Sequence, residues 1–570
     1  MPREGLGLRD LASGTALALA VLTGCARLAD GSAAPVTQAT PAPGAPPHLV
    51  LLLAVDQLRP DRLSTALPGG LGRLMREGRV FADAALEHAD TETCPGHASM
   101  LTGRYPGPAG VPSNEFVDRE TGRLVYCVED DAPDAAVLEG GSEPAPGRSP
   151  RKMRASALGD WLKASRPGTR VFSLSGKDRA AITLGGQHPD VAYWFDRGPA
   201  LGFTTSRYYR SELPAWVRAF NRPVDGVPAF LARVPARWEH ATGAPANGAR
   251  RDDYPAESAQ FGRVSGHPVR DPDPEIFLER LSYTPFLDEV TLDFSRELVR
   301  NERVGSGPGI DLLAISLSAN DLVGHLYGPG SQEARDALLR LDAALGEFLT
   351  FLEAQTGKGG MLVVLTADHG VLELPEWLVE SGASECPLPT GRGSSRALVE
   401  GLSRALHAAL DPKGSAPAAW VAVSGYELTV NRRLAQARHV PIPRVVDLAK
   451  RWLSTQPGIF HVWTQEEIEG GTGPAPFAML YRNSFDPERS GDLIVQPAPT
   501  CLFSAYPVGT SHGTPYLYDR AIPLVFFGPG VSPGVVRGRA TSVDIAPTLA
   551  RALGLEPPAE LDGHVLTLGP

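Results

Sequence analysis

The sequence predicts an α/β fold: a doubly wound, mostly parallel central sheet with helices on both faces, plus inserted cap regions at about 187–285 and 374–502. Three observations carry this. His48–Val55 (H-L-V-L-L-L-A-V) is a continuous apolar run of strand length, and Gly309–Leu317 and Gly360–Thr366 read as further buried strands, as expected of parallel strands covered on both faces. Each is followed within a few residues by an acid, Asp56, Asp321 or Asp368, and ligands in open α/β sheets bind outside the carboxyl ends of strands. Amphipathic helices alternate with the strands, most clearly Asp288–Glu302 and Ser331–Gln355, where Leu338, Leu341, Leu345, Phe348 and Phe351 recur at helical spacing.

Taken in order, the chain opens with arginines at 3 and 9 and an apolar run from Leu11 to Thr23, too short to cross a bilayer as a helix. This reads as an export signal over 1–24. Its end, Leu22-Thr23-Gly24-Cys25, resembles the lipobox of bacterial lipoproteins, which implies acylation of Cys25 after cleavage; a cleavable soluble signal is the alternative, since Glu4 and Asp10 sit beside the arginines. Each buried acyl methylene contributes about 0.8 kcal/mol, so several chains would anchor the protein at a membrane the fold itself does not cross. Residues 25–47, rich in Ala, Pro, Thr and Gly, read as a tether, and 48–570 as one catalytic domain.

Gly70–Gly78 reads as a short helix. In Thr91–Gly103 (T-E-T-C-P-G-H-A-S-M-L-T-G) a helix opens with Thr93 at the N-cap and Cys94 and Pro95 in the first turn. Its free N–H groups and dipole form a seat for an anion, and a threonine there is either an ordinary cap or a nucleophile. Asn114 lies in a turn-like P-S-N-E-F stretch. Ser156–Ser165 reads as a helix and Arg170–Leu174 as a strand, followed by Gly176-Lys177-Asp178-Arg179, where an extended or bent backbone would point Lys177 and Arg179 to the same side. Within the second insertion we expect helices near Ser394–Leu410 and Pro443–Ser454 and a strand near Trp420–Val430. Gly509–Gly513 is then a loop carrying His512, Ile522–Phe527 a last core strand, and Thr541–Leu553 a helix opened by Ser542 or Asp544.

A net charge of −11 argues against general nucleic-acid binding, so an anionic substrate must be held by local cations. Without Cys25, four cysteines remain, Cys94, Cys127, Cys386 and Cys501; they allow two disulfides in an oxidising compartment, with the pairing open. None shows the close spacing of a thiolate zinc site. The metal-type ligands are Asp56, Asp321, His325, Asp368, His369 and His512. Three imidazoles with three carboxylates suit zinc better than magnesium, and six ligands fill two three-ligand sites. His97, on the Thr93 helix, is expected to pack beneath the site rather than bind metal.

The pieces T-C-P-G-H-A-S-M-L-T-G, G-K-D-R-A-A, N-D-L-V-G-H, A-D-H-G and S-H-G-T-P, in this order, resemble the alkaline phosphatase superfamily, specifically its phosphate-irrepressible, threonine-nucleophile branch, related to type I phosphodiesterases and nucleotide pyrophosphatases. The resemblance implies two Zn2+ ions, one on Asp321, His325 and His512, the other on Asp56, Asp368, His369 and the Thr93 oxygen. It further implies Thr93 as nucleophile in a phosphothreonine mechanism, and Asn114, Lys177 and Arg179 as ligands of the phosphoryl oxygens. Small phosphate monoesters are the expected substrates, because Lys177 and Arg179 favour a dianion, and the sulfatase signature C/S-x-P-x-R is not matched at Cys94-Pro95-Gly96-His97. The competing expectations are a phosphodiesterase or nucleotide pyrophosphatase with the same metals, and an envelope lipoprotein that binds a phosphorylated ligand without turning it over. Oligomeric state is not legible in the sequence.

Overall fold

The computed structural model describes residues 47–139, 146–198, 201–224, 227–241, 249–412, 414 and 419–569. The expected signal over 1–24, Cys25 and all but the last residue of the tether lie outside the described residues. No helix among the described residues is long and apolar enough to cross a membrane.

The central sheet has nine strands. In chain order they are β1 (Leu49–Val55), β2 (Arg79–Phe81), β3 (Arg170–Ser175), β4 (Val191–Asp196), β5 (Gly202–Thr204), β6 (Asp311–Leu317), β7 (Met361–Thr366), β8 (Leu524–Phe527) and β9 (Gly534–Val536). Across the sheet they run β9-β2-β8-β7-β1-β6-β3-β4-β5. The five strands from β7 to β4 are mutually parallel, whereas β8 is antiparallel to β7 and β5 to β4. Every residue of β1, β6 and β7 is buried. Strand residues alternate faces, so burial of both sets requires cover on both sides. Replacing one of these leucines, Leu52 for example, with alanine would cost about 2–5 kcal/mol.

Helix ends follow local chemistry. Ser331 caps the Gln332–Thr356 helix, its side chain accepting from Ala334 N. Ser394 does the same for Ser395–Leu410 through Ala397 N. At the C-terminal end, Asp544 stands at the N-cap of the Ile545–Ala552 helix, as expected, and a capping box of Thr541 with Asp544 sets the short turn before it.

Two parts of the expected insertions differ. The segment 187–285 does not leave the core at once: β4 and β5 continue the central sheet before the chain departs. Their signal is weak because β5 has only three residues. The strand expected over Trp420–Val430 is a hairpin, Val421–Ser424 and Glu427–Val430, that turns at Gly425 with φ of +56°, a conformation glycine adopts without a Cβ penalty. With Ile459–Thr464 and Leu493–Pro497 it forms a separate four-stranded antiparallel sheet. That sheet packs its own apolar cluster, Leu402, Leu406, Val445 and Val462 among it.

Candidate active site

Strand register assembles the site. Ala54 of β1 pairs with Ser316 of β6 and Thr366 of β7, and Ser316 pairs with Ser175 of β3. The chain therefore leaves four neighbouring strands at one level, and the residues two positions further on are Asp56, Ser318, Asp368 and Lys177. β8 is antiparallel, so its first residue, Leu524, pairs with Thr366. Its beginning thus lies at the edge where the parallel strands end, and the His512 loop that precedes it reaches that edge too. Asp321 and His325 stand four apart in the Ala319–Tyr327 helix, with His325 Nε2 3.2 Å from Asp321 Oδ1. The sequence left that segment as a loop able to turn helically. It is helical from Ala319, whose N–H donates to Asp288 Oδ1 at 3.0 Å.

The six expected ligands meet. One ligand atom each from Asp321, His325 and His512 lie within 4.8 Å of one another, as do one each from Asp56, Asp321 and His369. Asp368 joins through Oδ2, 3.3 Å from His369 Nε2. Asp321 thus stands between the two sets, where the sequence placed Asp368 in the second. The three histidines share one arrangement. Nδ1 of His325 faces Thr510 O at 2.9 Å, that of His369 faces Gly370 O at 3.0 Å, and that of His512 faces Thr91 O at 2.6 Å. A carbonyl only accepts, so each Nδ1 carries a proton and each Nε2 is the ring atom turned inward, the usual orientation of a metal-binding imidazole. Asp56 Oδ1 and His369 Nε2 are buried with no hydrogen-bond partner. Buried carboxylates and imidazoles gathered this closely call for a cation, and this donor set fits zinc.

The electrostatics are those of crowded buried acids. Burial and the neighbouring Asp321 and Asp368 carboxylates push the Asp56 carboxyl well above the usual range. Asp321 is held well below it: burial opposes this, but His325 and Lys177 prevail. Burial, with His369 and His325 alongside, depresses the His512 imidazole well below its ordinary value, which keeps it neutral and able to bind a cation.

Thr93 is the first helical residue of Thr93–Thr102, not the N-cap, which is Glu92. It is 1% exposed. The expected seat of free N–H groups is partly taken, because Cys94 N donates to Asn114 Oδ1 at 2.8 Å. Asn114 N in turn donates to Glu92 Oε2 at 2.7 Å. A Cys94–Cys127 disulfide closes the 33-residue span that holds Asn114, and Cys127 N donates to Asn114 O at 2.9 Å. The asparagine amide is therefore fastened beside Thr93. A second disulfide joins Cys386 and Cys501. Gly96 lets the helix lie on the Asp368 backbone: a Cβ there would come within 2.3 Å of Asp368 O. His97 sits beneath, its Nδ1 2.9 Å from Thr93 O and 3.1 Å from Asp368 Oδ2, its Nε2 2.8 Å from Ser316 Oγ.

Lys177, with extended backbone, and Arg179 stand where a bend turns into a helix. Lys177 is the N-cap of the Asp178–Gly185 helix and Arg179 lies in its first turn. Arg179 Nη2 is 3.4 Å from Thr93 Oγ1. Lys177 Nζ is 2.6 Å from Asp56 Oδ2 and 2.5 Å from Asp321 Oδ2, because two buried carboxylates draw a neighbouring cation.

Sequence reasoning passed over several partners. Gln57, at φ of +66°, donates from its side chain to Asp321 Oδ1 at 2.6 Å and from its backbone to Asp368 Oδ1 at 3.1 Å. Its position directly after Asp56 was the available signal. Tyr126 Oη donates to Asp178 Oδ1 at 2.6 Å and lies 3.4 Å from Arg179 Nη1. The strand pairing of Tyr126 with Glu115 and the Cys94–Cys127 disulfide hold its segment there. A cavity of about 300 Å³ opens beside these groups, lined by Glu92, Asn114, Tyr126, Arg179, Tyr426 and Glu427 among others.

Residues 50–515 match the family model for type I phosphodiesterase / nucleotide pyrophosphatase. The chain is 30% identical to alkaline phosphatase PafA of Elizabethkingia meningoseptica, over 91% of this chain and 94% of that one. It is 31% identical to alkaline phosphatase PhoK of a Sphingomonas species, over 92% and 91%. The crystal structure of wild-type PafA superposes with a TM-score of 0.83 at 28% identity, covering 93% of this chain and all of that one. The chain therefore belongs to the type I phosphodiesterase / nucleotide pyrophosphatase family, as a PafA-like member of the alkaline phosphatase superfamily.

Proposed function

We propose that the protein is an alkaline phosphatase, a zinc-dependent hydrolase of small phosphate monoesters that works through a phosphothreonine at Thr93. The observation that carries this reading is the meeting of the Thr93 hydroxyl, the Arg179 guanidinium 3.4 Å away and a converging carboxylate and imidazole set at one buried sheet edge. Asp321, His325 and His512 would hold one ion; Asp56, Asp368 and His369, with the Thr93 hydroxyl, the other. Bound there, zinc supplies concentrated positive charge that acidifies a neighbouring hydroxyl and stabilises a departing alkoxide. Thr93 Oγ1 attacks phosphorus, forming the threonyl ester as the bond to the leaving alkoxide breaks. Arg179 binds the non-bridging oxygens, with two parallel donors available in its fork. Asn114 supplies an amide whose orientation the Cys94 N–H fixes. Lys177 adds a compact charge. Water then cleaves the threonyl ester, and inorganic phosphate leaves.

Further support comes from a solved variant of PafA, altered at one threonine, one asparagine, one lysine and one arginine, the residue types of Thr93, Asn114, Lys177 and Arg179 in the same chain order. The family description favours one second reading, a diesterase using the same residues. The two separate on kcat/KM for an aryl phosphate against a bis-aryl phosphate: a monoesterase prefers the first, and preference for the diester would overturn our choice. We further propose export to the periplasm or cell envelope with a lipid anchor on Cys25. The two disulfides support an oxidising compartment. Palmitate labelling that vanishes in Cys25→Ala checks the anchor.

A further inference from the structure

A second place in the molecule gathers metal-type ligands, away from the sheet edge. His240, His267 and Glu333 each bring one ligand atom within 4.8 Å of the other two. Glu333 Oε1 is 3.2 Å from His267 Nε2 and 3.6 Å from His240 Nε2. All three atoms are buried and none has a hydrogen-bond partner. The Glu333 and His267 side chains are each 1% exposed and that of His240 14%.

The surroundings of His267 decide what these atoms are. Its Nδ1 lies 3.3 Å from Phe261 O and 3.3 Å from Tyr327 Oη. Tyr327 donates its own hydroxyl proton to Gly262 O at 3.1 Å, so towards His267 it offers a lone pair. Two acceptors around Nδ1 place a ring proton there and leave Nε2 turned into the cluster beside a carboxylate oxygen. No N–H···O hydrogen bond joins those two atoms, so a second ring proton does not satisfy the contact, whereas a cation held by both would. Bonds of about 2.0–2.1 Å at tetrahedral angles set donor atoms about 3.3–3.4 Å apart, and the two measured separations fall on either side of that value.

We propose that His240, His267 and Glu333 form a third, structural metal site that takes zinc, the divalent ion best matched to two imidazoles and one carboxylate. Its place in the fold assigns the role. His267 pairs with Trp238 in the short strand pair Arg237–Trp238 and His267–Pro268, and Glu333 stands in the first turn of Gln332–Thr356. The ion clips the crossing segment to that helix. Hydrogen bonds from Trp238 Nε1 and Ala241 N to the two Asp336 oxygens, at 2.7 and 2.8 Å, already hold the segment one turn further along. The His267 ring also packs on Tyr327, 5.2 Å between centroids, at the end of the helix that carries Asp321 and His325. The clip therefore steadies that helix from behind.

The site is independent of the phosphatase reading, and so is its test. Crystals of the unaltered protein grown with zinc, measured on both sides of the zinc absorption edge, should show an anomalous peak about 2 Å from all three ligand atoms. A featureless map there overturns the proposal. In solution, the double variant His267→Asn, Glu333→Gln should bind one zinc fewer per chain than the unaltered protein, and zinc should raise its Tm less. Equal stoichiometry overturns the site even if no phosphatase activity is found in either protein. If that variant does not fold, His240→Gln, at the rim, is read by the same two measurements.

Discussion

The Lys177 ammonium and the Asp56 carboxylate, 121 positions apart in the chain, lie 2.6 Å apart at the buried sheet edge. Asp321 completes the bridge at 2.5 Å. Removing one partner of a buried ion pair leaves an uncompensated charge and costs about 3–5 kcal/mol. Lys177→Met should therefore destabilise the metal-stripped protein by about that amount, and much less with zinc bound, because the ions then neutralise both carboxylates. Urea unfolding in chelator and in zinc measures the two deficits. Equal deficits would mean that the lysine does not share its carboxylates with a cation.

Thr93→Ala should abolish the phosphoenzyme trapped on rapid acid quench and lower kcat/KM by about a thousandfold or more. Zinc content should stay near that of the unaltered protein. Thr93→Ser should retain a measurable phosphoenzyme, since it keeps the hydroxyl. A normal phosphoenzyme yield in Thr93→Ala would place the nucleophile elsewhere.

Asn114 offers an acceptor to Cys94 N and an amide donor to the site. Asn114→Asp keeps the acceptor and loses the donor; Asn114→Ala loses both. If the donor binds the phosphoryl group, both variants lose about a hundredfold in kcat/KM, while only Asn114→Ala loses thermal stability as well. An active Asn114→Asp would assign the residue to the helix start alone.

Asp288 accepts the Ala319 N–H that begins the ligand-bearing helix, and burial raises its carboxyl from 3.8 to about 7. The folded state holds this proton where the unfolded chain has lost it. Stability therefore falls as pH rises from about 4 to 7 and is level beyond. Asp288→Asn keeps an acceptor and removes that slope. Its advantage over the unaltered protein should be absent near pH 4 and grow to at most about 4 kcal/mol at pH 8, by linkage at about 1.4 kcal/mol per unit. Urea midpoints across that range check it, and a pH-independent difference would refute the assignment.

Much of this arrangement was legible residue by residue. Largely apolar runs marked β1, β6 and β7 because strands covered on both faces leave little room for polar alternation. The acids after them marked the sheet edge. Asp321 and His325 at helical spacing could already be matched to one ion. Boundaries moved by a residue where caps competed: Glu92 displaced Thr93 as N-cap. Asp178 begins a helix directly after the bend, where an extended or bent segment was expected.

What the sequence determined alone is the part governed by neighbours along the chain: strand and helix periodicity, the ligand inventory, and the threonine at a helix start. Only the tertiary structure decided which cysteines join, that β8 runs antiparallel so that His512 arrives at the same edge as Asp368, that Lys177 bridges two acids, and that His240, His267 and Glu333 meet. The reason is physical. Periodicity is set by backbone geometry within a few residues, whereas the partner of a buried charge or lone pair is whatever packing brings beside it, at any distance along the chain.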